Sequence, residues 1–175
     1  AAVAKLKKEF PACKVIGQPC DVGNYIQVQE LWDVAVQGLG SVDIWINNAG
    51  RDGIQKLLHE LPVEDYTLTI QTNLTGLLHC NRVAIIGMQK QGSGKIFNME
   101  GFGSDGNTMP RYAVYGGTKY ALRYITKVLV KECKDTFVKM CYISPGMVVT
   151  DMLIAPDAPK DPEWPRKRKI YNILA

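Results

Sequence analysis

The sequence predicts an α/β fold, a doubly wound parallel sheet, on two observations. Short runs with apolar centres, around Val15, from Val42 to Ile46, from Lys95 to Met99 and from Val138 to Ile143, alternate with segments whose apolar residues recur at helical spacing. Three of these runs end in small or polar residues, at Asn47 to Gly50, Gly101 to Gly106 and Ser144 to Gly146. Open α/β sheets hold their ligands at such carboxyl ends. Strand alternating with helix also implies right-handed crossovers between parallel neighbours.

Taken in order, Ala1 to Phe10 reads as the last turns of a helix that Pro11 stops. Cys13 to Pro19 reads as a short buried strand with Val15 and Ile16 at its centre, and it leads to Asp21. Asn24 is placed to cap the next helix, whose Ile26, Trp32, Ala35, Val36 and Leu39 fall on one side before Gly38 and Gly40 end it. Val42 to Ile46 fits a strand buried on both faces. Pro62 suits a first helical position, with Glu64 and Asp65 in the first turn, and the helix is expected to run past Asn73 and Gly76 toward Met88. Asparagine is a mediocre helix former, so Asn73 asks for a reason, with a locally bonded side chain as the plain alternative. Lys95 to Met99 and Val138 to Ile143 are the remaining strands, separated by the helix that carries Tyr115, Lys119, Leu122, Ile125 and Leu129. From Pro156 to Lys169, four prolines and a basic cluster at Arg166 to Lys169 mark an exposed segment or lid. Those cations read as a solvated charge run, with a phosphate- or membrane-surface role as the alternative.

Composition excludes several classes of function. A chain of 175 residues, 46% hydrophobic and 22% charged, is one ordinary globular domain. A net charge of +4 falls short of the basic surface that a nucleic-acid binder needs. Five cysteines without a C-x-x-C pair point to reduced, buried thiols, and two histidines argue against a histidine-rich metal site. No apolar run approaches the roughly 20 residues of a membrane span. The chain begins at Ala1 without a methionine or a targeting segment, and the amino end is expected to lie further upstream.

The candidate chemistry lies between Ser104 and Lys119. If a helix opens after Pro110, Tyr115 and Lys119 stand four residues apart on one face. A tyrosine titrates near 10, so proton exchange near neutrality requires a shift of roughly three units. A neighbouring ammonium supplies part of it, and a second cation or hydrogen bonds to the phenolate supply the rest. On this pair alone, a solvated lysine beside a half-buried tyrosine is the simpler reading.

Four motifs in sequence favour the other reading: N-N-A-G at Asn47 to Gly50, Asn73 in T-N-L-T-G, Y-x-x-x-K at Tyr115 and Lys119, and S-P-G-x-x-x-T from Ser144 to Thr150. In order and spacing they resemble the short-chain dehydrogenase/reductase family, and their finer wording resembles its chlorophyll b reductase branch. The resemblance implies a Rossmann-like domain over 1–150 and the start of a substrate-covering lid over 151–175. It makes Tyr115 the general acid, Lys119 the group that lowers its pKa and holds the nicotinamide ribose, and Asn73 the holder of a relay water. It places Asp21 and Val22 near the adenine, Asn48, Ala49 and Gly50 along the cofactor, and Pro145, Gly146, Val148 and Thr150 beside the nicotinamide. The implied cofactor is NADPH or NADH. The implied partner is a hydrophobic small molecule, chlorophyll b foremost, with peripheral membrane association, homo-oligomerisation at full length and a chloroplast, thylakoid-associated location. A cytoplasmic location follows if the pigment assignment fails.

Two departures qualify the resemblance. Where most of the family has a serine soon after the strand ending at Met99, this chain has Glu100, Gly101 and Phe102. Ser104 becomes the candidate substrate-orienting group, with a loop serine satisfying a turn as the equal alternative, and Glu100 is a further candidate to touch the substrate or a metal in it. No G-x-x-x-G-x-G phosphate loop occurs either. The family's first two strands and that loop are then expected before Ala1, which makes the sheet incomplete, the chain truncated at both ends and its own dinucleotide binding weak. The function expected is carbonyl reduction of a formyl group to hydroxymethyl. The alternatives are another hydrophobic substrate, such as a steroid, lipid or acyl compound, and a catalytically silent dinucleotide sensor. Phe102, Met109, Tyr112, Met147, Met152 and Leu153 are the apolar residues expected around the mouth.

Overall fold

The computed structural model describes residues 2–146. Its elements in chain order are α1 (Ala2–Glu9), α2 (Tyr25–Leu39), β1 (Ile44–Asn47), α3 (Val63–Ile70), α4 (Gly76–Gln91), β2 (Gly94–Met99), α5 (Ala113–Glu132) and β3 (Val138–Ile143). A 3-10 turn at Leu58–Glu60 precedes α3, and a π-helical turn at Gln71–Thr75 joins α3 to α4. The three strands form one parallel sheet in the order β1-β2-β3, with Trp45, Ile96 and Met140 in register across it.

Local chemistry accounts for most boundaries. Asn24 caps α2 as expected, its side-chain oxygen accepting from the amides of Ile26 and Gln27 at 3.0 and 3.3 Å. Gly40 ends the helix with φ 89°, a conformation in which a Cβ is costly, and its amide returns to Val36. Pro62 stands one position earlier than expected, as the cap of α3, with Glu64 and Asp65 in the first turn. The core lies between the sheet and α2, α4 and α5, around Val28, Trp32, Val83, Ala84, Met88, Ile96 and Val138. The Trp32 indole lies directly on α4 at Gly87, where any side chain would collide with it, and its ring centroid is 5.7 Å from that of Trp45.

The structure corrects four expectations. Cys13 to Pro19 forms no strand: its residues are mostly exposed, and no strand among the described residues lies beside it to share backbone hydrogen bonds. Val42 to Ile46 is not buried on both faces. The strand begins at Ile44, and Ile44 and Ile46 are 58% and 52% exposed on the face opposite Trp45. The cause is topological, since α4 and α5, the right-handed crossovers linking β1, β2 and β3, lie on one side of the sheet, and α2 packs there too. On α2 itself, Val28 and Trp32 are buried while Ile26 and Leu39 stay exposed. Of the cysteines, all five are free thiols, but only Cys80 and Cys133 are buried and Cys13 is exposed.

Candidate active site

The site assembles where β1 and β2 end against α5. At the strand ends, the Asn47 side chain donates to the Asn98 side-chain oxygen at 2.7 Å, Asn98 donates to the Thr126 hydroxyl at 2.9 Å, and that hydroxyl donates to the Leu122 carbonyl at 2.8 Å. Trp45 Nε1 donates to Asn47 Oδ1 at 2.6 Å. These buried amides are satisfied in series, so the two strand termini and one face of α5 are held as a unit.

Tyr115 and Lys119 sit one turn apart on α5, as their spacing predicts. The Lys119 ammonium lies 5.8 Å from the centroid of the Tyr115 ring and donates to the Met99 carbonyl at 3.0 Å. Lys119 is only 7% exposed, whereas Tyr115 is half-buried. Gly101 marks the point where they converge: a Cβ there would collide with the Tyr115 hydroxyl and come within 3.1 Å of the Lys119 stem. Burial pushes the Tyr115 phenol above its ordinary value, with Asp52 and then Tyr112 adding to the effect. This direction is opposite to the lowering that the resemblance implies. Burial also pushes the Lys119 ammonium down, while Glu100 acts to hold it up.

Asn73 has a definite structural setting. It lies in the π-helical turn, 3% exposed. Its side-chain oxygen accepts from the Arg51 amide at 2.8 Å, and its nitrogen donates to the Arg51 carbonyl at 2.8 Å and to the Thr118 hydroxyl at 3.1 Å. Thr118 in turn donates to the Tyr115 carbonyl at 2.7 Å. The wide turn therefore joins the loop after β1 to the helix of the tyrosine, as π-bulges at functional sites often do. An Arg51–Asp65 ion pair closes the same loop from outside.

The other expected residues divide into near and distant groups. Gly50 is near: a Cβ on it would stand 3.4 Å from Asn73 Oδ1 and 3.8 Å from Lys119 Nζ. Asn48 and Ala49 are exposed at the end of β1, and Pro145 and Gly146 follow β3. Asp21 caps the turn before α2 by accepting from the Gly23 amide at 2.9 Å, and Val22 packs on Gly76 at the start of α4. Ser104 is buried, its amide donates to the Gly101 carbonyl at 3.1 Å, and no hydrogen bond joins it to Tyr115 among the described residues. Val148, Thr150 and the 151–175 segment, with Met147, Met152 and Leu153, lie outside the described residues.

Sequence reasoning missed Gly101, Arg51, Thr118 and the Asn47–Asn98–Thr126 series. Gly101 and Thr118 were findable, since each adjoins a residue already singled out. The other links depend on which side chains meet across the sheet, which spacing does not reveal. A cavity of about 410 Å³ opens between the 102–109 loop and α5, lined by Phe102, Met109, Tyr112 and Tyr120 among others, and neither Tyr115 nor Lys119 is part of its lining. Phe102 and Tyr112 pack edge to face with centroids 5.2 Å apart, and Tyr112 and Tyr115 follow at 6.2 Å.

Known proteins are similar to this chain in sequence and in fold. The family model of the short chain dehydrogenases matches residues 1–160. A probable chlorophyll(ide) b reductase, chloroplastic, from Arabidopsis thaliana is 41% identical over 169 residues, covering 96% of this chain and 33% of the relative. A chloroplastic chlorophyll(ide) b reductase from Oryza sativa subsp. japonica is 41% identical over 180 residues, covering 100% of this chain and 51% of the relative. The chain thus spans about a third to a half of the length of these curated relatives. Among solved structures, the closed form of serine dehydrogenase complexed with NADP+ is similar with a TM-score of 0.75 and 29% identity, over 84% of this chain and 58% of that one. NAD+-bound xylitol dehydrogenase is similar with a TM-score of 0.79 and 26% identity, over 86% and 57%. A nicotinamide dinucleotide is the cofactor class of this family. The fold and the matched family model agree, and the chain belongs to the short-chain dehydrogenase/reductase family.

Proposed function

We propose that the full-length protein is an NAD(P)H-dependent carbonyl reductase that converts the formyl group of chlorophyll b to hydroxymethyl. The observation that carries this reading is the convergence of the Tyr115 hydroxyl and the Lys119 side chain on Gly101. A bound reduced nicotinamide supplies the hydride. The residues present fit its ribose. Lys119 uses one of its three N–H donors on Met99 and keeps the others for hydroxyls, and the missing Cβ of Gly50 leaves room between Lys119 and Asn73.

Tyr115 then donates its proton to the carbonyl oxygen as that oxygen gains charge, the step a general acid accelerates. Burial keeps the phenol protonated but also makes it a weaker acid, so donation calls for stabilisation of the phenolate that remains, the part assigned here to the Lys119 ammonium near its ring. Asn73 has both N–H donors engaged, so a relay water would take the free lone pair of its oxygen, on the Gly50 side facing Lys119. The aromatic row from Phe102 through Tyr112 to Tyr115 gives a large, flat, conjugated molecule a wall beside the acid. The relatives' names support the plastid location and the pigment.

The test is an assay of the full-length protein with NADPH against chlorophyll b, a small aromatic aldehyde and a steroid ketone. Preference for the pigment supports the assignment. Preference for either of the others removes the pigment and leaves the reductase.

A further inference from the structure

The turn that follows β2 carries little to hold itself in place. Of Gly101, Phe102 and Gly103, two lack a side chain, and Gly103 has φ 92°, a conformation that favours glycine. Its seat is nevertheless narrow. A Cβ at Gly101 would collide with the Tyr115 hydroxyl, and one at Gly103 would stand 2.8 Å from the Gly116 backbone. Phe102, between them, lines the cavity beside α5. A turn of this composition pressed so closely on a helix needs anchors outside itself.

Those anchors stand on α5. Lys119 donates to the Met99 carbonyl at 3.0 Å, just before the turn begins. Arg123, four residues further along the helix, reaches both ends of the turn. Its Nε lies 3.3 Å from Oε1 of Glu100, which is 5% exposed, and its Nη1 donates to the Ser104 carbonyl at 3.5 Å. The Nε contact is an ion pair without hydrogen-bond geometry, and among the described residues it is the only ion pair that the Glu100 carboxylate makes. Backbone bonds tie the same two ends, from the Glu100 amide to the Ile143 carbonyl at 2.8 Å and from the Ser104 amide to the Gly101 carbonyl at 3.1 Å. The guanidinium also lies 5.3 Å from the centroid of the Tyr142 ring on β3. An arginine suits this span, because its N–H groups leave a rigid plane in fixed directions.

We infer that Arg123 is a positioning residue of the proposed reductase: it fastens the 100–104 turn at both ends, and so sets Gly101 against the Tyr115 hydroxyl and Phe102 in the cavity wall. The inference rests on the reading of Tyr115 as the acid. It also gives the Glu100 carboxylate the compensating charge that a buried anion requires.

The test uses the full-length protein with two variants. Arg123→Lys keeps the charge beside Glu100 but loses the planar fork that spans to Ser104. The double variant Glu100→Gln with Arg123→Gln removes both charges, so that no buried carboxylate is left unpaired. In each, amide exchange at Ser104 and Gly106, both bonded within this turn, is expected to quicken about tenfold while β2 and α4 exchange as before. With NADPH and the carbonyl substrate, kcat is expected to fall about tenfold through misplacement of the phenol, with NADPH affinity retained. Either readout unchanged in both variants overturns the inference, and so does faster exchange spread through β2 and α4 in both. Tyr115→Phe, run alongside, separates the two claims. Turnover that survives it sinks the reductase reading, whereas unchanged exchange at the turn with Tyr115→Phe inactive sinks only the role of Arg123.

Discussion

Gly101 shows at the scale of single residues how the site depends on something left out. With no Cβ, it lets the Tyr115 hydroxyl and the Lys119 stem approach the backbone after β2. Gly101→Ala is therefore expected to lower turnover by about a hundredfold through displacement of the phenol, because misplacement of about 1 Å costs that much. The circular dichroism spectrum should not change, and wild-type turnover in this variant would contradict the packing described. The thiols give a prediction that does not depend on function. Burial, with a smaller contribution from Cys20, pushes the Cys80 thiol up to about 12, while Cys13 is exposed. Since the thiolate is the species that reacts, alkylation of the folded chain at mildly alkaline pH should label Cys13 first and leave Cys80 unmodified, as read by peptide mass spectrometry. Tyr115, Lys119 and Asn73 were legible as residues. The partners that seat them were not, because Arg51 and Thr118 meet Asn73 only through the path of the chain in space.

Among the elements, the legible ones carry their own terminal signals. The cap at Asn24, the acidic first turn of α3 and the limits of β3 all follow from local residues. Asn24→Ala should cost about 1 kcal/mol in denaturant unfolding, the ordinary value of an N-cap. The π-helical turn at Gln71–Thr75 carries no such signal, and Asn73 hinted at it only by being a poor helix former at a buried position. The contact of α2 with α4 was equally hidden. Gly87 reads as a weak point in a helix, but the Trp32 ring lies against it. Replacing it by alanine gains about 1 kcal/mol of helix propensity. It also forces the indole out of place, at a cost of about 1–3 kcal/mol. Gly87→Ala should therefore leave the chain no more stable than before, and a clear rise in the unfolding midpoint would show that the indole packs elsewhere.

For the whole molecule, the alternation of strand and helix was enough to give a parallel sheet, since consecutive right-handed crossovers leave little choice of topology. Which faces are covered could not be read from the same pattern. An apolar run such as Val42 to Ile46 looks alike whether one face or both are packed, and here Ile44 and Ile46 stand bare while Trp45 is covered. The run around Val15 failed as a strand for a related reason, because pairing needs a neighbour as well as a suitable composition. The 1–175 chain by itself should bind a hydrophobic dye such as ANS, and replacing Ile44 and Ile46 together by threonine should reduce that signal with little loss of stability. An unchanged signal would mean that the dye binds elsewhere. The account as a whole stands or falls on Tyr115, and the most direct measurement is turnover of the full-length Tyr115→Phe variant on the carbonyl it reduces fastest, with NADPH affinity measured in parallel. Turnover should fall by about a thousandfold, within the range of a lost general acid, with NADPH affinity retained. Turnover close to that of the unaltered enzyme would contradict the account.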